Sequence, residues 1–201
     1  MSNKTLVLLV AVCSAFSGET SELKRSASTS GDAGSDVAQT TGPVDVCALV
    51  LKADVDAAFV PRVFGNGEKQ QGYVAGTAKL ASVSGCTFTS RGASPREMLV
   101  VSIIARRAPS DQTGVTVATA KEGAVKLNAQ LKLNAVPVDV PGLGDAAYWI
   151  DLGSSTRPGI ELNVFKGRRL WLVYSASAPK GGADAALAGL TKLAKATLGR
   201  L

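Results

Sequence analysis

Two stretches of this 201-residue chain are apolar at both alternating sets of positions: Glu97–Arg106, EMLVVSIIAR, and Arg169–Ala176, RLWLVYSA. Strand side chains point to opposite faces with a period of two, so a half-exposed strand alternates apolar with polar residues. A run that is apolar on both faces belongs in the middle of a sheet. The chain must therefore surround these runs with further strands and cover, and a 46% apolar composition is enough to supply a core. The length suits one folded domain plus an export segment.

The remaining patterns fill in the neighbours. Pro43–Phe59 reads as a short turn and a helix, with Leu51, Val55 and Phe59 on one face and Asp54 and Asp56 near its start as solvated helix charge. Gly65–Gly72 is a polar surface loop. Ala78–Val83 and Cys86–Ser90 have strand character, with Gly85 as the turn between them. Thr116–Leu133 is helical: Val117, Ala120, Ala124, Leu127 and Leu131 recur at three and four, with Lys121, Lys126 and Lys132 largely off that stripe. Ile160, Leu162 and Val164 alternate with Glu161 and Asn163 in a strand, and Lys166-Gly167 makes a tight hairpin turn into Arg169–Ala176. Ala183–Leu201 is an amphipathic helix with Leu187, Leu190, Leu193, Leu198 and Leu201 inward and Lys192 and Lys195 outward, docked on the sheet rather than on a membrane. The expected fold is α+β: an antiparallel sheet of about five to six strands with helices on one face, built as roughly two α-β-β-β units plus a C-terminal helix over residues 43–201.

The first 42 residues have a different character. Met1-Ser2-Asn3-Lys4 followed by Thr5–Cys13 is a positive n-region and a short apolar h-region, the pattern of a secretory signal over residues 1–17. The apolar stretch is too short to span a bilayer, which takes about 20 residues. Val10-Ala11-Val12-Cys13 resembles the box before a lipid-modified bacterial cysteine, although Val12 stands where Gly, Ala or Ser is usual. Acylation of Cys13 competes with ordinary cleavage after Ala15-Phe16-Ser17. Residues 18–42 are rich in Ser, Thr and Gly, cannot bury a core, and read as a disordered linker. Such a tether has a reach on the order of 30 Å, which suits a spacer between an anchor and a domain.

The chain has three cysteines. With Cys13 acylated or removed, Cys47 and Cys86 remain, and in an oxidising compartment they bridge. The alternative is two buried free thiols. Two sulfurs without histidine do not close a tetrahedral metal shell, and the chain contains no histidine.

Gly142-x-Gly144-x-x-Ala147 has the spacing of a dinucleotide-binding loop. That loop needs a strand before it and a helix directly after it, so that helix amides face the pyrophosphate. Here Tyr148-Trp149-Ile150 follows, which favours a strand. The glycines read as a loop entering a strand, and no cofactor is expected.

Nothing in the chain assembles a familiar catalytic set. There is no Gly-x-Ser-x-Gly elbow and no imidazole to activate a serine. Asp139, Asp145, Asp151 and Glu161 are carboxylate candidates by default, and Ser/Lys chemistry is the other route. An envelope enzyme of hydrolase type is thus the alternative to a non-catalytic binding or accessory domain, and no catalytic or metal-binding residue is assigned. Trp149 shares a strand face with Asp151 and is the candidate contact for a ligand or partner, as an aromatic anchor at a wet surface. Residues from Pro43 onward hold 19 Lys+Arg against 12 Asp+Glu. These cations are scattered along the sequence rather than clustered, which reads as solubility. Without a basic stripe or interleaved aromatics, no nucleic-acid partner is expected.

Four segments, DVCALVLKADVDAAF from Asp45, GCTFTS from Gly85, VPGLGDAAYW from Val140 and ELNVFKGRRLWLVY from Glu161, together with the closing Leu/Ala/Lys helix, resemble a group of bacterial envelope lipoproteins of unknown function. The pattern is also similar to the extracellular sensor domain of a mycobacterial serine/threonine kinase. Cys47 and Cys86, Gly142–Trp149 and Lys166-Gly167 match that pattern; Leu51 departs from it, where Ser or Thr caps the helix. The resemblance implies fold and export and carries no activity. The expected protein is an exported domain of the cell envelope, periplasmic or outer-surface and tethered through a lipid anchor at Cys13, or else secreted and soluble, with an unknown small molecule or envelope protein as its partner.

Overall fold

The computed structural model describes residues 44–70, 83–91, 98–107, 115–130, 133, 135–152, 159–177 and 182–201. All lie in the unit Pro43–Leu201, one of the two into which the chain divides. The signal segment with Cys13, the 18–42 linker, residues 78–82 of one expected strand, Glu97 and Leu131 fall outside the described residues. The elements run α1 (Val46–Leu49), α2 (Lys52–Ala58), β1 (Glu68–Gln70), β2 (Val83–Ser90), β3 (Leu99–Arg107), α3 (Val117–Gln130), β4 (Val138–Asp139), β5 (Ala146–Asp151), β6 (Gly159–Lys166), β7 (Leu170–Ser177) and α4 (Gly182–Leu198).

The described strands form one seven-stranded sheet in the order β1-β2-β3-β7-β6-β5-β4, with every neighbouring pair antiparallel. The two doubly apolar runs become β3 and β7, which lie side by side at its centre. The α+β antiparallel class is as expected, with more strands. The additional ones are polar and short. Glu68–Gln70, read as loop, pairs with Gly85–Thr87 as edge strand β1, and Val138–Asp139 forms β4 at the opposite edge. Gly85 is not a turn: it sits inside β2 between Gln70 and Ile104. A Cβ there would lie 2.9 Å from the Gln70 side-chain oxygen, so glycine suits the close packing of the edge strand.

The first helix breaks in two. Asp45 caps α1, accepting from the amides of Cys47 and Ala48 at 3.1 and 3.3 Å. Val50 then turns extended, and α2 restarts from Leu51, whose aliphatic side chain offers no cap bond. Leu51 is therefore exposed, while Val55 and Phe59 are buried as expected. Asp54 and Asp56 are paired rather than merely solvated. Asp54 meets Arg200 at 2.7 Å; Asp56 meets Lys52 at 2.5 Å and accepts the Phe64 amide at 2.8 Å.

Side chains of β5 separate the two faces of the sheet. Ala147 and Trp149 join the main core with Val101, Ile103, Leu162 and Leu172, beneath Val55 of α2 and Leu190 and Leu193 of α4. Tyr148 and Ile150 join a second cluster with Phe165 and Ala120 of α3. Helices α1, α2 and α4 thus pack on the first face, and α3 covers part of the second, so the expected single helical face is corrected. The reason is the same apolarity on both faces that marked the central strands, which β5 and β6 share through Tyr148, Ile150 and Phe165. Along the chain the described elements run as two short helices and three strands, then a helix, four strands and a closing helix.

The β6–β7 connection has three residues, Gly167–Arg169, because Lys166 pairs with Leu170. Gly167 adopts φ 60°, which glycine tolerates best. Helix α4 ends at Leu198, leaving Leu201 exposed rather than inward, whereas Lys192 and Lys195 face solvent as expected.

Candidate functional site

The bridge between Cys47 and Cys86 is formed, with an S–S distance of 1.97 Å and Cα atoms 5.1 Å apart. It ties α1 to β2, and Cys86 is wholly buried. Among the described residues no helix is long and apolar enough to cross a membrane, and no group of three potential metal ligands occurs.

The glycine loop ends where the sequence pattern placed it. Pro141–Asp145 is a turn, and β5 begins at Ala146 with no helix between. Gly142 and Gly144 adopt φ 74° and 63°. A Cβ on Gly144 would approach the Phe165 carbonyl oxygen to 2.5 Å, so this glycine allows the loop to lie against β6. Asp145 closes the same corner, accepting the Gly167 amide at 2.6 Å and pairing with Lys166 at 3.2 Å. The loop is a sheet corner, with Gly144 accounted for by that packing and Gly142 by its left-handed backbone.

Trp149 is half-buried and packs against the main core, opposite Val138 and Leu162. Asp151, at the other end of its face, is exposed. The carboxylate candidates do not converge. Asp139 pairs with Lys121 of α3, Asp145 with Lys166, and Glu161 lies on the second face of β6.

Around Glu161 the structure gathers polar groups that the sequence pattern left separate. Asn163 is completely buried in β6. Its Nδ2 donates to Glu161 Oε1 at 2.9 Å, and its Oδ1 accepts the indole N–H of Trp171 at 2.9 Å. The Arg106 guanidinium lies 4.6 Å from the Trp171 ring centroid, and Trp171 stacks on Phe165 with centroids 5.6 Å apart. Register explains the assembly: Arg106 faces Trp171 across β3–β7, Phe165 faces Trp171 across β6–β7, and Tyr148 faces Asn163 across β5–β6. Burial raises the Glu161 carboxyl above its ordinary range, although Asn163 and Arg106 pull it down. Burial likewise lowers the Arg106 guanidinium and raises the Tyr148 phenol.

One row along, Gln70 donates to Thr87 at 2.5 Å, Thr87 and Ser102 share a hydrogen bond of 3.0 Å, and Ser175 donates to the Ser102 carbonyl at 3.4 Å. Ser175 stands opposite Glu161, so a line of hydroxyls leads across the second face to the half-buried carboxyl. Helix α3 covers Tyr148, Ile150 and Phe165, while Ser102, Ile104, Trp171 and Ser175 stay half-buried. This surface offers a guanidinium on an aromatic platform, a held carboxyl and a row of hydroxyl oxygens, which is chemistry for recognising a polar ligand. The signal available in the sequence was the set of polar residues, Ser102, Glu161 and Asn163, inside otherwise apolar strands.

A shallow cleft of about 430 Å³ opens at the other end of the sheet, lined by Gly65, Asn66, Gly67, Glu68, Thr89 and Arg91 among others. Among the described lining residues, Glu68 and Arg91 are the ionisable ones.

No family model matches the chain, and no curated protein matches it.

Proposed function

We propose that this chain is exported and held at the cell envelope through an acylated Cys13, presenting a non-catalytic binding or accessory domain beyond the 18–42 linker. The observation that carries the reading is the Cys47–Cys86 bridge, since structural disulfides belong to oxidising compartments. The half-covered second face, with Arg106, Trp171 and Glu161, supports recognition of a polar ligand or envelope partner there, in preference to Trp149. Metabolic labelling with an alkyne fatty acid, combined with cell fractionation, tests the anchor. The wild-type chain is expected in the membrane fraction and labelled, and Cys13→Ser unlabelled. An exported, bridged but unlabelled wild-type chain selects the freely secreted alternative; a cytosolic chain with reactive thiols overturns the proposal. Native mass spectrometry of protein purified from its own envelope then separates capture of a small molecule from association with another protein.

One observation favours a second reading. Burial holds the Glu161 carboxyl protonated further up the pH scale than usual, as a general acid requires. An envelope hydrolase using Glu161 would lose turnover in Glu161→Gln while keeping its fold.

A further inference from the structure

The cations are scattered in sequence, but the fold gathers five of them at one end of the sheet. Arg106 and Arg107 close β3, and Lys166, Arg168 and Arg169 lie at the β6–β7 turn. Arg107 and Lys166 both pair with Leu170, from opposite sides. Two strand spacings put their Cα atoms about 10 Å apart. Arg168 is exposed, and the Lys166 side chain retains 51% of its accessibility. Asp145 offsets Lys166. Arg106, Arg107, Arg168 and Arg169 add to the positive field of this end whatever local contacts they make.

A second observation gives this end a direction. Ser84 Oγ donates to the carbonyl of Val44, the first described residue, and the adjacent Val83 pairs with Arg106. Val44, where the described domain begins, therefore lies at the same end of the sheet as the cations. The cleft beside Thr89 lies at the opposite end, since Thr89 pairs with Val100 near the start of β3. From these two facts we infer that the end formed by Arg106, Arg107, Lys166, Arg168 and Arg169 is the membrane-facing surface of the domain and docks on the phosphate groups of anionic lipid headgroups. The inference rests on the tethered reading above. A tether keeps the domain within reach of the bilayer, so a weak surface attraction is enough to orient it.

Vesicle partitioning tests this directly. The full chain carrying Cys13→Ser, so that no acyl group masks the effect, is mixed with phosphatidylcholine vesicles with or without phosphatidylglycerol. A cation near an anionic bilayer strengthens partitioning roughly fivefold. Lys166→Gln with Arg168→Gln is thus expected to weaken binding to the anionic vesicles about 25-fold. Arg91→Gln with Lys126→Gln removes the same charge elsewhere and is expected to change it far less. A melting curve checks that each variant is folded; if the first pair is not, Arg168→Gln alone, in an exposed turn, should lose about fivefold. Equal binding to both vesicle types, or equal losses in the two pairs, overturns the docking surface. Competition by free glycerol phosphate at matched phosphate concentration also overturns it, because that marks a small-anion site. Failure of the tether itself shows separately, as a native chain with no acyl group on Cys13, and leaves the vesicle result standing.

Discussion

Replacing both Cys47 and Cys86 by alanine removes the cross-link between α1 and β2 while leaving the described backbone bonds of those elements intact. The cysteines are 39 residues apart. In the chain-entropy model, closing a loop of that length destabilises the unfolded state by about 4 kcal/mol at 25 °C. The loss should be felt through the whole domain, because the closed loop contains α2 and β1, and the Phe59 and Phe64 that they position are buried in the main core. Alanine is preferred to serine, since Cys86 is wholly buried and a hydroxyl there would need a partner. Urea unfolding measures the effect. With a slope near 2 kcal/mol/M, the midpoint should fall by about 2 M. The slope itself should rise, because an uncrosslinked unfolded chain exposes more surface. Wild-type protein unfolded in the presence of reductant should behave like the double variant. A loss under about 1 kcal/mol with an unchanged slope would refute the entropic role assigned to the bridge.

Three further outcomes follow from particular contacts. Gly144→Ala should destabilise by more than about 2 kcal/mol, combining a left-handed backbone with a collision against the Phe165 carbonyl, whereas Gly142→Ala meets no atom and should cost about 1 kcal/mol; paired thermal melts distinguish them, and equal costs would remove the close-approach argument. Leu190→Ala, at a wholly buried position of α4 in the main core, should cost about 2–5 kcal/mol in the same assay. Glu161→Gln should be at least as stable as wild type at neutral pH. The folded-state carboxyl titrates above its unfolded value, so its contribution is present below the unfolded pKa and is lost as pH rises through the folded one. The advantage of glutamine should therefore grow with rising pH across that window and vanish below it; urea midpoints over a pH series that show the reverse trend would contradict the burial of this group.

Much of this architecture was legible because strands write their environment into alternate residues. EMLVVSIIAR and RLWLVYSA announced the sheet centre, and Tyr148-Trp149-Ile150 announced a strand where the glycine spacing suggested a cofactor loop. The edge strands were not legible. Glu68–Gln70 and Val138–Asp139 are short and polar, and their strand character comes from hydrogen bonds to β2 and β5 rather than from apolar pattern. Gly85 looked like punctuation, yet a glycine inside a strand also marks close approach, here of Gln70. The break at Val50–Leu51 was not legible, since Leu51 offers no capping side chain to mark a second helix start. The second helical face and the polar group around Glu161 depend on register between strands far apart in sequence, as does the gathering of Arg106-Arg107 with Lys166, Arg168 and Arg169. Trp149 illustrates the remaining difficulty: alternation placed it on the face of Asp151, but only packing shows that this face covers the core at its position.

The central claim is that the chain crosses a bilayer, acquires an anchor at Cys13 and folds around one disulfide. Intact mass spectrometry of protein taken from its native envelope, alkylated before and after reduction, tests all three parts together. The expected result is a chain beginning at Cys13 with added acyl mass, no alkylation before reduction, and modification of both Cys47 and Cys86 after it. A chain beginning at Met1, with both of those thiols alkylated without reductant, would contradict the account.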